Sequence, residues 1–294
     1  MAQKLAFLHA LSPLHSGTGQ GVGSIDLPIA RERATNLPVI PGSSIKGCLR
    51  DSLRESLPPD TLKAVFGPER ADNAGEHAGA LRVSDAHLLL LPVRCLGASF
   101  VWVTCPFVLH RFRRDALAVG HKDLPAAIPT LKDSEALTAT GDPLVTVNKQ
   151  QKLVLEELDF TTRVGAEASQ WQKWLGERLF LDVPWREELN KRFAIIDDKS
   201  FDHLAEFATE VNAHIAINHE TGTVADGALW YQESLPAESV LSLLLQADQS
   251  RRNGVTLSGD EVLEKIQPSQ AVQFGGKAST GYGLVRFQPF GGGQ

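Results

Sequence analysis

Apolar residues fill both parities of KLAFLHALSP (4–13). Leu5, Phe7, His9 and Leu11 fall on one side of an extended strand, and Ala6, Leu8 and Ala10 on the other. A strand apolar on both sides belongs in the middle of a sheet that is covered twice. In GSSIKGCLRDSLRESL (42–57) the period changes: Ile45, Leu49, Leu53 and Leu57 recur every four residues, with Lys46, Arg50 and Arg54 on a neighbouring face. That is an amphipathic helix, with Ser43 or Ser44 as its cap. Further along, the pattern predicts a short helix over 61–67 stopped by Gly67-Pro68, then strands over 81–93 and 99–106 joined as a hairpin. A helix over 107–118 follows, then irregular chain over 120–152 with Pro125, Pro129 and Pro143, and a strand over 154–158. Helices are predicted over 171–179 and 197–208, and a β-hairpin over 211–217 and 224–233. The strongly apolar 239–247 reads as a strand, and 258–266 as a helix with a Ser258/Glu261 capping box. Short strands over 271–276 and 282–288 flank a second glycine-rich turn.

This order predicts an α+β fold, with helices on one face of mainly antiparallel sheets. The ferredoxin-like, RNA-recognition-type arrangement is the natural member of that class. We read one domain over 1–290, with an insertion at about 120–190 and a disordered tail over 291–294.

Composition changes the picture little: 43% hydrophobic and 22% charged residues are ordinary for a globular chain of 294 residues. No apolar run approaches the roughly 20 residues of a membrane helix. The start alternates like a strand rather than a signal peptide. Cys48, Cys95 and Cys105 lie far apart with no CxxC pair, so a reducing, cytoplasmic setting is expected. The net charge of −6 has the wrong sign for a nucleic-acid binder. Residues 1–50 are the exception: Lys4, Arg31, Arg33, Lys46 and Arg50 face Asp26 and Glu32, a net of +3.

Chemistry concentrates in four stretches. HSGTGQGVGSIDLPIAR (15–31) has glycines at 17, 19, 21 and 23 and then the lone Asp26. It is not a dinucleotide fingerprint, because Val22 stands where the third glycine belongs and the next helix is too far on. It is either a plain flexible turn or a loop whose backbone approaches a bulky ligand and presents Asp26 to it. GSSIKGCLR is either an ordinary capped helix or a phosphate site built from a helix N-terminus, two hydroxyls, Lys46 and Arg50. FGGKASTGYG is either a mobile hairpin or a glycine-walled anion nest, and neither stretch matches a Walker loop. In LWYQESLP, Trp230 is more often a core residue than a stacking platform, and Glu233 more often a solvated strand end than a catalyst. His219 and Glu220 at the hairpin tip read as polar turn residues. No HxxxH or HExxH spacing occurs among the nine histidines, so no histidine metal site is indicated.

Together, LSPLHSGTGQGVGSIDLPIARE, LPVIPGSSIKGCLRDSLR, ALWYQESLP and VQFGGKASTGYGLVRF, in this order, resemble the RAMP superfamily of CRISPR effector subunits. The likeness covers nearly the whole chain and is closest to the backbone subunits of type III-B effector complexes. It implies a modified RNA-recognition-type palm with a protruding β-hairpin thumb, mapped to about 211–229. It implies copies stacked in a helical filament on a CRISPR guide RNA, beside other effector subunits and with no membrane. Thumbs would wedge into the guide–target duplex, and single-stranded target RNA would be cut opposite each wedge by attack of its 2′-hydroxyl. By position, Asp26 is the implied catalytic residue, His15 the loop histidine, and Tyr231 and Glu233 helpers. Gly17, Gly19, Gly42, Ser43, Ser44, Lys46, Arg50, Gly275, Gly276, Lys277, Ser279, Thr280 and Gly281 would hold RNA. A divalent metal, Mg²⁺, would arrive with the RNA, since one carboxylate makes a poor permanent site. A non-catalytic guide-binding scaffold is the alternative, and a guide-processing nuclease with His15 as general base a third reading.

Overall fold

The computed structural model describes the chain except residues 20, 22, 69–76, 218–221, 269 and 291–294, and except the side chains of 225–227. The expected tip residues His219 and Glu220 and the expected tail therefore lie outside the described residues. The strands are β1 (Ala2–Ala10), β2 (Val39–Ile40), β3 (Leu81–Val83), β4 (Ala86–Arg94), β5 (Phe100–Thr104), β6 (Glu135–Thr138), β7 (Val145–Val147), β8 (Gln150–Leu155), β9 (Leu158–Val164), β10 (Phe193–Ile196), β11 (Glu210–Ile217), β12 (Val224–Ser234), β13 (Val240–Ala247), β14 (Val272–Gln273) and β15 (Leu284–Phe290). The helices are α1 (Gly42–Ser52), α2 (Pro59–Phe66), α3 (Pro106–Ala118), α4 (Ala166–Leu179), α5 (Val183–Lys191), α6 (Asp198–Phe207) and α7 (Gly259–Lys265).

A mixed, mostly antiparallel sheet runs β14-β15-β1-β13-β4-β5-β10-β6-β9-β8-β7, with β2 on β4 and β3 on β13. The pairs β10–β5 and β6–β9 are parallel. Six consecutive residues of β1, Leu5 to Ala10, are buried, so the strand is covered on both faces as its two-sided apolar run predicts. Phe7 stacks on Phe290 at 4.4 Å and on Phe112 of α3 at 5.9 Å between ring centroids. Trp171 and Trp174 of α4 extend this aromatic layer. The Ser258/Glu261 capping box is present, both halves made.

Several elements differ from the pattern-based reading. Helix α1 begins at Gly42 with Pro41 as its cap, not Ser43 or Ser44. Asp85 Oδ1 accepts from the Gly42 N–H at 2.8 Å and so supplies the missing cap from elsewhere in the fold. The predicted strand 81–93 is two strands, broken at Ser84 and Asp85. The stretch expected to be irregular holds β6, β7 and the start of β8, and together with β9 these extend the main sheet at the end far from β1. Helix α5 and the four-residue β10 were not signalled. A run as short as FAII has no period to read, and its four buried residues obtain their partners only in the assembled sheet.

The hairpin β11–β12 forms its own two-stranded sheet. Its register puts Val211, Ala213, Ile215, Leu229 and Tyr231 on one face and Asn212, His214, Trp230 and Gln232 on the other. Val211, Ile215, Leu229 and Tyr231 are exposed. Trp230, expected in the core, instead lies on the hairpin with its ring stacked on His214 at 5.5 Å.

Candidate active site

The glycine loop follows β1 and folds back as an extended strap along the root of β12. Leu27 pairs with Gln232 in a parallel bridge, its N–H reaches Tyr231 O at 3.0 Å, and its carbonyl accepts from the Glu233 N–H at 2.9 Å. This strap carries Asp26 to the surface. The Tyr231 N–H donates to Asp26 Oδ2 at 2.8 Å, while Oδ1 takes no bond among the described residues. The carboxylate is thus aimed by the main chain of β12 and keeps one oxygen for a ligand. Gly21, whose N–H donates to Asp26 O at 2.8 Å, closes the turn.

His15 sits beneath the loop, buried. Its Nδ1 lies 2.7 Å from Glu233 O, and a carbonyl only accepts, so Nδ1 carries the proton. In the neutral ring Nε2 is then an acceptor, turned toward the loop. A Cβ at Gly17 would come within 2.5 Å of Nε2, so only glycine leaves room for this imidazole. The glycine-rich turn packs on the same residue: the Gly276 N–H donates to His15 O at 3.0 Å. A Cβ at Gly275, whose φ is +70°, would lie 2.3 Å from that oxygen.

Glu233, expected at a solvated strand end, is buried and fully engaged. Its carboxylate accepts from the Ile29 N–H at 3.0 Å, Arg31 Nη2 at 2.5 Å and Thr209 Oγ1 at 3.0 Å. Arg31 also donates to the carbonyls of Asn36 and Ala205. Glu233 therefore fastens strap, β12 and the end of α6 together, and its backbone carbonyl orients His15. Tyr231 is exposed beside Asp26.

Of the RNA-contact candidates, Gly17, Gly19, Ser43, Ser44, Gly275, Gly276, Lys277, Ser279, Thr280 and Gly281 are exposed. Gly42 is buried against the backbone of Val83 and Ser84, where a Cβ would approach an oxygen to 2.4 Å. Lys46 donates to Leu81 O at 2.8 Å, and burial with Arg50 nearby lowers its pKa. Arg50 donates to Pro68 O at 3.1 Å. In the turn, the N–H groups of Thr280 and Tyr282 point to Lys277 O and that of Gly281 to Ala278 O. The turn thus presents its side chains, Lys277 and Ser279, more than an open nest of amides. Helix α1 is linked to it through Cys48. Burial raises that thiol's pKa, and a hydrogen bond with the Gly275 backbone pulls the other way.

The fold thus gathers His15, Gly17, Asp26, Tyr231, Glu233, Gly275 and Gly276 into one patch, with α1 joined at its edge. Arg31, Thr209, Asp85 and Cys48 were not picked out from the sequence as site residues. Arg31 was visible only as part of the basic excess, which its ion pair with Glu233 reduces; Thr209 carries no signal at all.

Among the described residues no group of three or more His, Cys, Asp or Glu side chains is placed to hold a metal ion. One open carboxylate oxygen fits an ion that brings most of its ligands as water and substrate phosphate. No helix among the described residues is long and apolar enough to cross a membrane.

Comparison with known proteins gives the same outline. The RAMP superfamily model matches residues 7–286. The "CRISPR system Cmr endoribonuclease Cmr4" of Pyrococcus furiosus is 37% identical over 289 residues, covering 97% of this chain and 95% of the relative. The crystal structure of oligomeric Cmr4 from the same organism superposes with a TM-score of 0.74 at 28% identity, covering 99% of both chains. A chain of the cryo-EM structure of a type III-B Cmr-beta complex bound to cognate target RNA has a TM-score of 0.74 at 18% identity, covering 98% of this chain and 97% of that one, a likeness of fold. With the superfamily model spanning nearly its whole length and a Cmr4 relative at 37% identity, this chain belongs to the RAMP superfamily, in the Cmr4 family.

Proposed function

We propose that this chain is the guide-RNA-binding backbone subunit of a type III-B CRISPR effector and the endoribonuclease that cuts its complementary target RNA at regular intervals. The observation that carries the catalytic half is Asp26: an exposed carboxylate, aimed by the Tyr231 N–H, on a strap too poor in side chains to hold RNA away. In this reading the main sheet is the RNA-recognition-type palm and β11–β12 is the thumb. The thumb pries the guide–target duplex apart, because stacked A-form RNA does not set a 2′-hydroxyl in line with its own phosphate and a splayed step can.

Asp26 accepts the 2′-hydroxyl proton through its open carboxylate oxygen as the 2′-oxygen attacks the adjacent phosphorus; the bond from phosphorus to the 5′-oxygen breaks, leaving a cyclic phosphate and a 5′-oxygen that takes up a proton from water as a 5′-hydroxyl. A divalent ion, held between Asp26 and the RNA, would neutralise charge on the phosphate. His15 presents Nε2 as a neutral acceptor under the loop and helps seat the strand. Tyr231 contributes the N–H that fixes Asp26, and Glu233 is a positioning residue, since all its carboxylate contacts lie inside the protein. Lys277, Ser279 and the first turn of α1 follow the guide backbone. Binding by one subunit is weak and salt-sensitive, and becomes firm when copies line one strand.

The test is Asp26→Asn in the reconstituted effector. Target cutting is expected to fall by at least ~100-fold, with the complex still assembling on guide RNA. Cutting at the wild-type rate would leave only the scaffold role.

A further inference from the structure

The face of β11–β12 turned away from Asp26 carries a polar cluster at its root. Glu210 pairs with Ser234 across the hairpin and Asn212 with Gln232, and strand alternation sets all four side chains on one face. Direct partners on antiparallel strands have Cβ atoms about 4.5–5.5 Å apart, so the four side chains share one small space. The other face, with Val211, Tyr231 and Glu233, adjoins the Asp26 loop. Gln232 is 1% exposed and Ser234 0%, yet Gln232 Nε2 and Ser234 Oγ have no hydrogen-bond partner among the described residues. Glu210 is half-buried, and burial alone raises its pKa, with no cation or donor beside it to offset the effect. Asn212 reaches only Tyr282 Oη, at 3.5 Å. An amide and a hydroxyl sealed from water without partners, next to an uncompensated carboxylate, are costly to keep, and apolar side chains at 232 and 234 would avoid that cost.

We propose that the root of the hairpin binds a monovalent alkali cation, K⁺ or Na⁺, through the Glu210 carboxylate, the Ser234 hydroxyl and the side-chain oxygens of Gln232 and Asn212. All four are hard oxygen ligands, the kind that suits cations of this class. Neutral hydroxyl and amide oxygens stand in for the hydration shell of a large, weakly hydrated ion, as backbone carbonyls do in potassium-selective filters. Turning the Gln232 amide over presents Oε1 at the position of the unpartnered Nε2. One carboxylate cancels one unit of charge. A divalent ion in the same place would leave net charge in a sealed site, and Mg²⁺ also gives up its water reluctantly. Water alone would satisfy the hydroxyl and the amide but leave the Glu210 charge uncompensated. Gln232 and Ser234 alternate with Tyr231 and Glu233, whose main chain aims Asp26 and orients His15. A cation held across β11 and β12 therefore braces the stretch that positions both groups. That consequence rests on the nuclease reading above, whereas the binding itself does not.

The experiment unfolds the full chain with urea in KCl and, separately, in choline chloride at the same concentration, choline being too large for the cluster. For a site with a Kd of about 10 mM, about 100 mM KCl should raise the folding constant about 10-fold over choline chloride. Glu210→Gln and Ser234→Ala should each shrink that difference to less than about 2-fold. A second measurement needs no variant: crystals of the wild type soaked in a Tl⁺ salt, with Tl⁺ as a heavy substitute for K⁺, should show an anomalous peak between Glu210 and Ser234. Equal stability in the two salts, variants that keep the full response to KCl, or water in place of the Tl⁺ peak would each overturn the proposal. None of these results bears on Asp26→Asn, which reports on the nuclease alone.

Discussion

Removing the Glu233 carboxylate separates a fastening role from a chemical one. The group accepts three bonds, from Ile29 N–H, Arg31 Nη2 and Thr209 Oγ1, and is 3% exposed. Glu233→Ala leaves the Ile29 N–H without a partner, at about 1–3 kcal/mol, and the Arg31 charge without its counterion. Arg31 is 17% exposed and keeps two carbonyl contacts, so water and backbone recover part of the second loss. We expect a total of about 3–5 kcal/mol. At the ~2 °C per kcal/mol of a chain this long, melting should fall by ~6–10 °C. Glu233→Gln keeps the shape and one acceptor, turns one contact repulsive, and should cost about 1–3 kcal/mol. Thermal melts and urea titrations of the isolated subunit measure both, and cutting by the reconstituted effector gives the second readout. Activity should follow stability, with Gln retaining measurable cutting below its melting point. Two results would refute the reasoning: Ala melting with the wild type, or Gln melting with the wild type and cutting nothing, which would put the carboxylate on the RNA.

Glu32 yields a pH prediction. Burial pushes its carboxyl up, but hydrogen bonds from His87, Thr35 and Arg111 and the charge of Arg111 outweigh that and bring it down to about 2. A depressed folded pKa gives stability that is complete above the unfolded value and lost as pH falls toward the folded one. Urea stability should therefore drop by ~2–3 kcal/mol more between pH 5 and pH 2 in the wild type than in Glu32→Gln. Parallel pH profiles for the two would contradict the assignment. Lys277 is exposed, with φ at +66°. If it meets a guide phosphate, Lys277→Ala should reduce the slope of log affinity against log salt by about 0.7 for single-stranded RNA, and an unchanged slope removes it from the interface.

Much of this was legible from the chain, for reasons specific to each element. β1 was legible because both of its parities are apolar, and α7 because Ser258 and Glu261 are spaced as a reciprocal cap. The α1 N-terminus was misplaced because its cap comes from Asp85, distant in sequence and unsignalled by local pattern. Likewise β10 is too short for a period to emerge, and α5 buries only Leu189, so it carries no apolar stripe to read. At the site, glycine spacing pointed to the loop and its lone acid. It could not show that Glu233 is interior or that Arg31 is its partner, because both facts arise where the strap crosses β12. The solvated reading of Glu233 followed local polarity alone.

The bond from the Tyr231 N–H to Asp26 also makes hairpin and acid a single lever. Because the strap is laced to β12 on either side of Asp26, a tilt of the hairpin carries the carboxylate with it. If Asp26 is the cutting group and the hairpin the wedge, as proposed, the position of a cut is measured from wherever the hairpin lodges, not from an end of the guide. Each copy in a row would then carry its own gauge, and the spacing between cuts would repeat the rise from one subunit to the next.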